Sequence, residues 1–121
     1  MPIPTEAEIM SARPEQLTLM LYEGAVRFAA DARSALDAGE FAEAAGLIER
    51  TAAIIRDLDD SLNDDAGELS LNLARIYEYL MRRLAVALEV PEALDEVVGH
   101  LEGLAEAWRE ICVPAAVGAG R

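Results

Sequence analysis

His100 is the single histidine and Cys112 the single cysteine among 121 residues, and that scarcity limits the chemistry open to the chain. A tetrahedral zinc site takes three or four His, Cys or carboxylate ligands, which one of each cannot supply. A di-iron site in a helical bundle requires two Glu-x-x-His elements, whereas the nearest acid before His100 is Glu96, four residues upstream. Ser11, Ser34, Ser61 and Ser70 stand at segment ends or polar positions with no histidine that spacing brings near, so a hydroxyl nucleophile has no base. Neither catalysis nor a metal or cofactor is expected.

One reaction is left for His100, accepting a phosphoryl group as in histidine phosphotransfer domains, which are also four-helix bundles. Those domains follow the histidine with a basic residue and a glycine at set offsets, while this chain offers Glu102 and has no lysine. On a helix His100 lies about 90° from the centre of the neighbouring apolar stripe, a boundary position that suits a half-exposed side chain without chemistry. Phosphotransfer through His100 stays as the alternative, and a purely structural or regulatory bundle as a third reading. Trp108 falls on the apolar stripe and reads as core.

The formal net charge is -13, with a pI near 4.3 and every basic residue an arginine. Nucleic-acid affinity rests on cations that displace counterions from phosphates, so a nucleic-acid partner is not expected. Anionic membrane surfaces are disfavoured for the same reason. The paired acids Asp59-Asp60 and Asp64-Asp65 flank a helix end and a turn and read as solvated charge. No apolar run reaches the roughly 18 residues needed to span a bilayer, so membrane insertion is not expected. Met1 to Glu8 lacks the cationic and apolar pattern of a secretory signal, and a lone cysteine suits a reducing compartment. The expectation is a cytoplasmic protein.

The elements are helical throughout, since no strand-length run alternates apolar with polar residues. The first helix is expected over 12–38, with Ser11 able to cap it, Pro14 in its first turn and Gly39 taking the left-handed stop. Gly24 within it reads as a point of close helix approach beside Ala25. The second runs from Glu40 to Asn63 on a stripe that includes Phe41, Ile48, Ile55 and Leu62. The third carries Leu69, Leu73, Tyr77, Leu80, Leu84 and Leu88 and stops at Val90 before Pro91. The fourth opens at Pro91, buries Leu94, Leu101, Leu104, Trp108 and Ile111, and ends at Pro114. Short connections force antiparallel neighbours, giving an all-α, up-down four-helix bundle with the first helix most enclosed. The expected organisation is a flexible arm over 1–10, the bundle over 11–113, and a small glycine-rich mobile tail over 114–121.

Apolar residues also stand outside the core stripes. Leu17, Leu21 and Phe28 of the first helix point one way and Leu19 and Val26 nearly the opposite way, with Tyr22 between, so this helix needs cover on several sides. Leu47 and Ile54 on the second helix, with Leu58 at the stripe's edge, form one outer pair, and Tyr79 and Val86 on the third form another. Such pairs fit grooves for an amphipathic partner segment, and they fit packing between neighbouring helices equally well.

Three segments resemble the flagellar secretion chaperone family FliS. Ser11 to Phe28, Ser-Ala-Arg-Pro-Glu-Gln-Leu-Thr-Leu-Met-Leu-Tyr-Glu-Gly-Ala-Val-Arg-Phe, is similar to the family's Thr-Ala-Ser-Pro-Glu-x-Leu-hydrophobic-x-Met-Leu-Tyr-Asp-Gly-Ala-Ile-Arg-Phe opening. Gly67 to Leu84 resembles its glycine, leucine, Leu-Tyr-x-Tyr/Phe-x-x-x-Arg-Leu segment, and Leu104 to Trp108 its closing leucine to alanine-tryptophan element. The resemblance implies a cytoplasmic, noncatalytic chaperone that binds the disordered C-terminal segment of flagellin, prevents premature polymerisation and presents it to a flagellar export gate component. It makes Leu19, Tyr22, Val26, Leu47, Ile54, Leu58, Tyr79 and Val86 the candidate flagellin-binding residues. Two departures stand out. Arg13 replaces the serine before Pro14, and Met1 to Met10 has no tyrosine of the kind by which the family's N-terminal arm can cover its client groove.

Overall fold

Among the described residues four helices occur in the order α1 (Pro14–Asp37), α2 (Phe41–Asp60), α3 (Glu68–Ala85) and α4 (Glu92–Ala119). This computed structural model describes residues 14–62 and 67–119, the last seven of these by backbone alone. The expected Ser11 cap, the N-terminal arm and the Asn63 to Ala66 turn lie outside the described residues.

Local chemistry sets most boundaries. Gly39 has φ 77°, the Glu40 amide donates to Ala35 O at 2.8 Å and the Gly39 amide to Leu36 O at 3.0 Å, which together close α1 in a Schellman motif. Gly39→Ala forces a left-handed Cβ into that cap, and should lower the unfolding free energy by about 1–2 kcal/mol in a urea titration. Three boundaries differ from the sequence expectation. α2 ends at Asp60 rather than Asn63, with Ser61 as its C-cap. α3 ends at Ala85 rather than Val90, because the Val86 and Ala87 amides bond three residues back, to Arg83 O and Leu84 O, and tighten the chain into turns that bury Ala87 before Pro91. α4 does not end at Pro114 but continues to Ala119. A proline removes one amide donor and leaves the succeeding alanines, strong helix formers, free to carry the helix on.

The helices form a ring in which α1 packs on α2 and α4, and α3 packs on the same two from the other side. The approach is closest around α1, for a reason visible in residue size. α1 buries Ala25, Ala29 and Ala32 without exposure, against α2 and α4, which bury Ala44, Ala93 and Ala105. Small side chains let helix axes come together. α3 instead buries Leu73, Tyr77, Leu80 and Leu84, whose bulk holds it further off. The first helix is the enclosed one, as its all-round apolar pattern requires.

Several expected core positions are exposed. Phe41, Leu69, Leu88 and Ile111 are 61%, 56%, 43% and 53% accessible, and Phe41 and Leu69 stand in first turns where the stripe runs past its neighbours. Gly24 also differs. A methyl group there would lie 3.7 Å from Ile54 Cδ1, an ordinary contact, so the helix approach does not require glycine. Gly24→Ala should therefore raise the melting temperature, by an amount equivalent to about 0.5–1 kcal/mol in scanning calorimetry.

Candidate functional site: the groove between α2 and α3

Because α3 stands off from α2, their seam remains open. Three cavities of about 610, 370 and 390 Å3 lie along it. Asp59 and Ala74 line both the first and the second, and Arg56 and Met81 both the second and the third, so the three form one row. On α3, Ser70, Tyr77 and Leu84 of the buried stripe line the row from beneath, and Leu71, Ala74, Glu78, Met81, Ala85 and, in the turn beyond, Leu88 line it further out. The spacing of these outer residues, three, four, three, four and three, places them on one ridge beside the buried stripe. Ile48 and Ala52 of α2 face them across the seam.

On the opposite side of the ring, α1 and α4 enclose a cavity of about 560 Å3 lined by Glu23, Val26, Arg27, Glu102, Glu106 and Arg109. Arg109 spans it to Glu23 at 3.1 Å. This groove is charged, and only Val26 and Ala105 give it an apolar surface.

The candidate binding residues fall into three groups. Tyr22 and Leu58 are core side chains, at 0% and 2% accessibility. The Tyr22 and Tyr77 hydroxyls bond to each other at 2.5 Å, and Trp108 meets Tyr22 edge-on with centroids 5.2 Å apart. Burial pushes both phenols above their ordinary pKa, so each stays neutral. Leu19, Val26, Leu47 and Ile54 are partly buried and packed against the core, Ile54 at the α1–α2 seam near Gly24. Of the outer pair, Ile54 thus packs between helices, and Leu47 is half-buried against the core. Tyr79 and Val86 are exposed, each 37% accessible, away from the α2–α3 groove.

Tyr79 belongs to a polar clasp between α3 and α4. Its hydroxyl donates to Glu96 Oε1, while Glu96 Oε2 accepts from Arg83 Nε at 2.9 Å and lies 2.8 Å from another guanidinium nitrogen of that arginine. His100 meets the Tyr79 ring edge-on at 5.7 Å. A histidine one turn from this carboxylate has an anion where an incoming phosphoryl group would bring more negative charge. The Tyr79 hydrogen bond, then Arg83, hold the Glu96 carboxyl below its ordinary value of 4.5. A depressed carboxyl stabilises the fold above that value and loses its contribution as pH falls through the lower folded one. Glu96→Gln should thus flatten the fall in melting temperature between about pH 5 and 3, read by circular dichroism.

Sequence reasoning missed the α3 ridge. Its signal is present in the three-four spacing from Leu71 to Leu88, but Glu78 interrupts it and Leu88 also falls on the core stripe.

A family model described as flagellar protein FliS matches residues 4–115. The chain belongs to the FliS family. It is 34% identical over 113 residues to the flagellar secretion chaperone FliS of Salmonella typhimurium, covering 90% of this chain and 84% of that one. FliS of Campylobacter jejuni is 36% identical over 101 residues, at 81% and 79% coverage, and FliS of Bacillus subtilis 31% identical over 104, at 84% and 77%. Membership in FliS, with relatives named as secretion chaperones, makes partner binding the work to seek in these grooves. Among the described residues no helix is long and apolar enough to cross a membrane.

Proposed function

We propose that the chain is a cytoplasmic, noncatalytic export chaperone that binds the C-terminal segment of flagellin, keeps it from polymerising and delivers it to an export gate component. The observation that carries this reading is the row of three adjoining cavities along the α2–α3 seam, together with the family and the names of its relatives. A disordered client whose apolar face drives self-assembly is capped by laying that face into such a groove, since the ordering cost is met by burial of apolar surface. In this proposal the α3 ridge seats the first client helix. Tyr79 and Val86 take a continuation of the client over α3, and Leu19 and Val26 a further turn along α1. Tyr22, Leu47, Ile54 and Leu58 support these surfaces from beneath.

A peptide covering the C-terminal segment of a flagellin from the same organism is expected to bind at about one-to-one stoichiometry in calorimetry and to gain helix in circular dichroism, with a negative heat-capacity change from apolar burial. Absence of both heat and helix gain contradicts the reading.

A further inference from the structure

The α2–α3 groove has a charge pattern that says which helix it accepts. Its floor is apolar, with Ile48, Ala52, Ala74 and Met81 along the row of cavities. Its rims are acidic on both sides: Glu49, Asp59 and Asp60 come from α2, and Glu78 and Glu89 from α3 and the turn after it. Among the described residues the one cation that lines the row is Arg56, 3.3 Å from Glu49 in a pair largely in solvent, so the row holds five carboxylates against one guanidinium. Arg82 lies 3.7 Å from Glu78 but outside the row, and both side chains are largely in solvent, where such a pair neutralises little. An apolar trough between two carboxylate rims is complementary to a helix whose apolar stripe has cations on both edges.

We infer that the groove selects an amphipathic segment with Lys or Arg flanking each side of its apolar stripe, about five turns long. The length follows from α3, whose 18 residues extend about 27 Å at 1.5 Å each. A second copy of this chain is a poor occupant, since a surface carrying a net -13 would bring acid against acid. The inference rests on the reading that this groove seats the client, and adds what the client's helix must carry.

Designed 18-residue peptides test it without any flagellin. One has a leucine and alanine stripe edged by lysine on both sides, one the same stripe edged by glutamate, and one the lysine composition scrambled so that no stripe forms. By fluorescence anisotropy at about 0.15 M salt the lysine-edged peptide should bind at least about tenfold more tightly than either other, and weaken as salt rises. The Asp59→Asn, Glu78→Gln double variant should weaken it several-fold. Glu102→Gln, Glu106→Gln removes the same charge from the opposite groove and should leave binding unchanged. All four positions are exposed, and thermal melts of both double variants check that the fold is kept. Equal binding of the lysine- and glutamate-edged peptides overturns the inference. So does equal weakening by the two double variants, which would reveal only the field of the whole chain, or a protein dimer in sedimentation that the peptide displaces. If the lysine-edged peptide binds as expected while the flagellin segment does not, the flagellin reading falls and this one stands; the reverse result separates them the other way.

Discussion

Leu101→Ala is expected to lower the unfolding free energy by about 2–5 kcal/mol, the range for truncating an enclosed leucine where the site relaxes only in part. Leu101 has no accessible surface, and it sits midway between other fully buried α4 residues and Ala105. The matching control is Ile111→Ala on the same helix. Ile111 shares the apolar periodicity but is 53% accessible, so its truncation should change stability by no more than about 0.5 kcal/mol. Urea titrations of the two variants distinguish the observed packing from the simple stripe, which would have both residues cost alike.

A second large effect is expected at the Tyr22–Tyr77 pair. Tyr22→Phe leaves the Tyr77 hydroxyl in the core without its partner, a loss of about 1–3 kcal/mol, and Tyr77→Phe does the converse. Removing both hydroxyls leaves no orphan, so the double variant should cost clearly less than the sum of the singles, with coupling on the order of 0.5–3 kcal/mol. Trp108, in edge contact with Tyr22, supplies the fluorescence that reports unfolding. The pair also sets an alkaline limit. Both phenols have folded pKa values raised by burial above the ordinary 10.0, so their contribution is complete below that pH and is lost as pH rises through the folded values. The double Phe variant should therefore lose less stability between about pH 10 and 12 than the wild type.

The bundle was legible because its elements obey local rules that act within a few residues. Gly39 closing α1 and Pro91 opening α4 are readable from residue type alone. Pro114 was not, because whether a proline breaks a helix depends on the residues after it, and here they are mostly alanines. Periodicity named Leu73, Tyr77, Leu80 and Leu84 correctly but could not tell Leu88 from them, since exposure at a helix end depends on where the neighbouring helix stops. The groove was the least legible part. Its existence follows from a difference in side-chain size between facing helices, alanines around α1 and leucines and tyrosine on α3. That is a property of pairs of helices, which no single stripe displays. Ile54 illustrates the same limit, because this apolar residue off the main stripe packs toward Gly24 of a second neighbour.

The central claim is that the α2–α3 groove is the client seat, and substitutions at its two ends test it most directly. Leu71 and Leu88 line the row of cavities yet are 52% and 43% accessible, so Leu71→Asp and Leu88→Asp can alter the groove while leaving the core in place. The measurement is calorimetric titration of the flagellin C-terminal segment into wild type and the Leu71→Asp, Leu88→Asp double variant, beside thermal melts of both. The account predicts unchanged melting and affinity reduced by about a hundredfold, equivalent to about 2.7 kcal/mol. Unchanged affinity in a variant that melts like the wild type would contradict it and move the client seat to another face of the bundle.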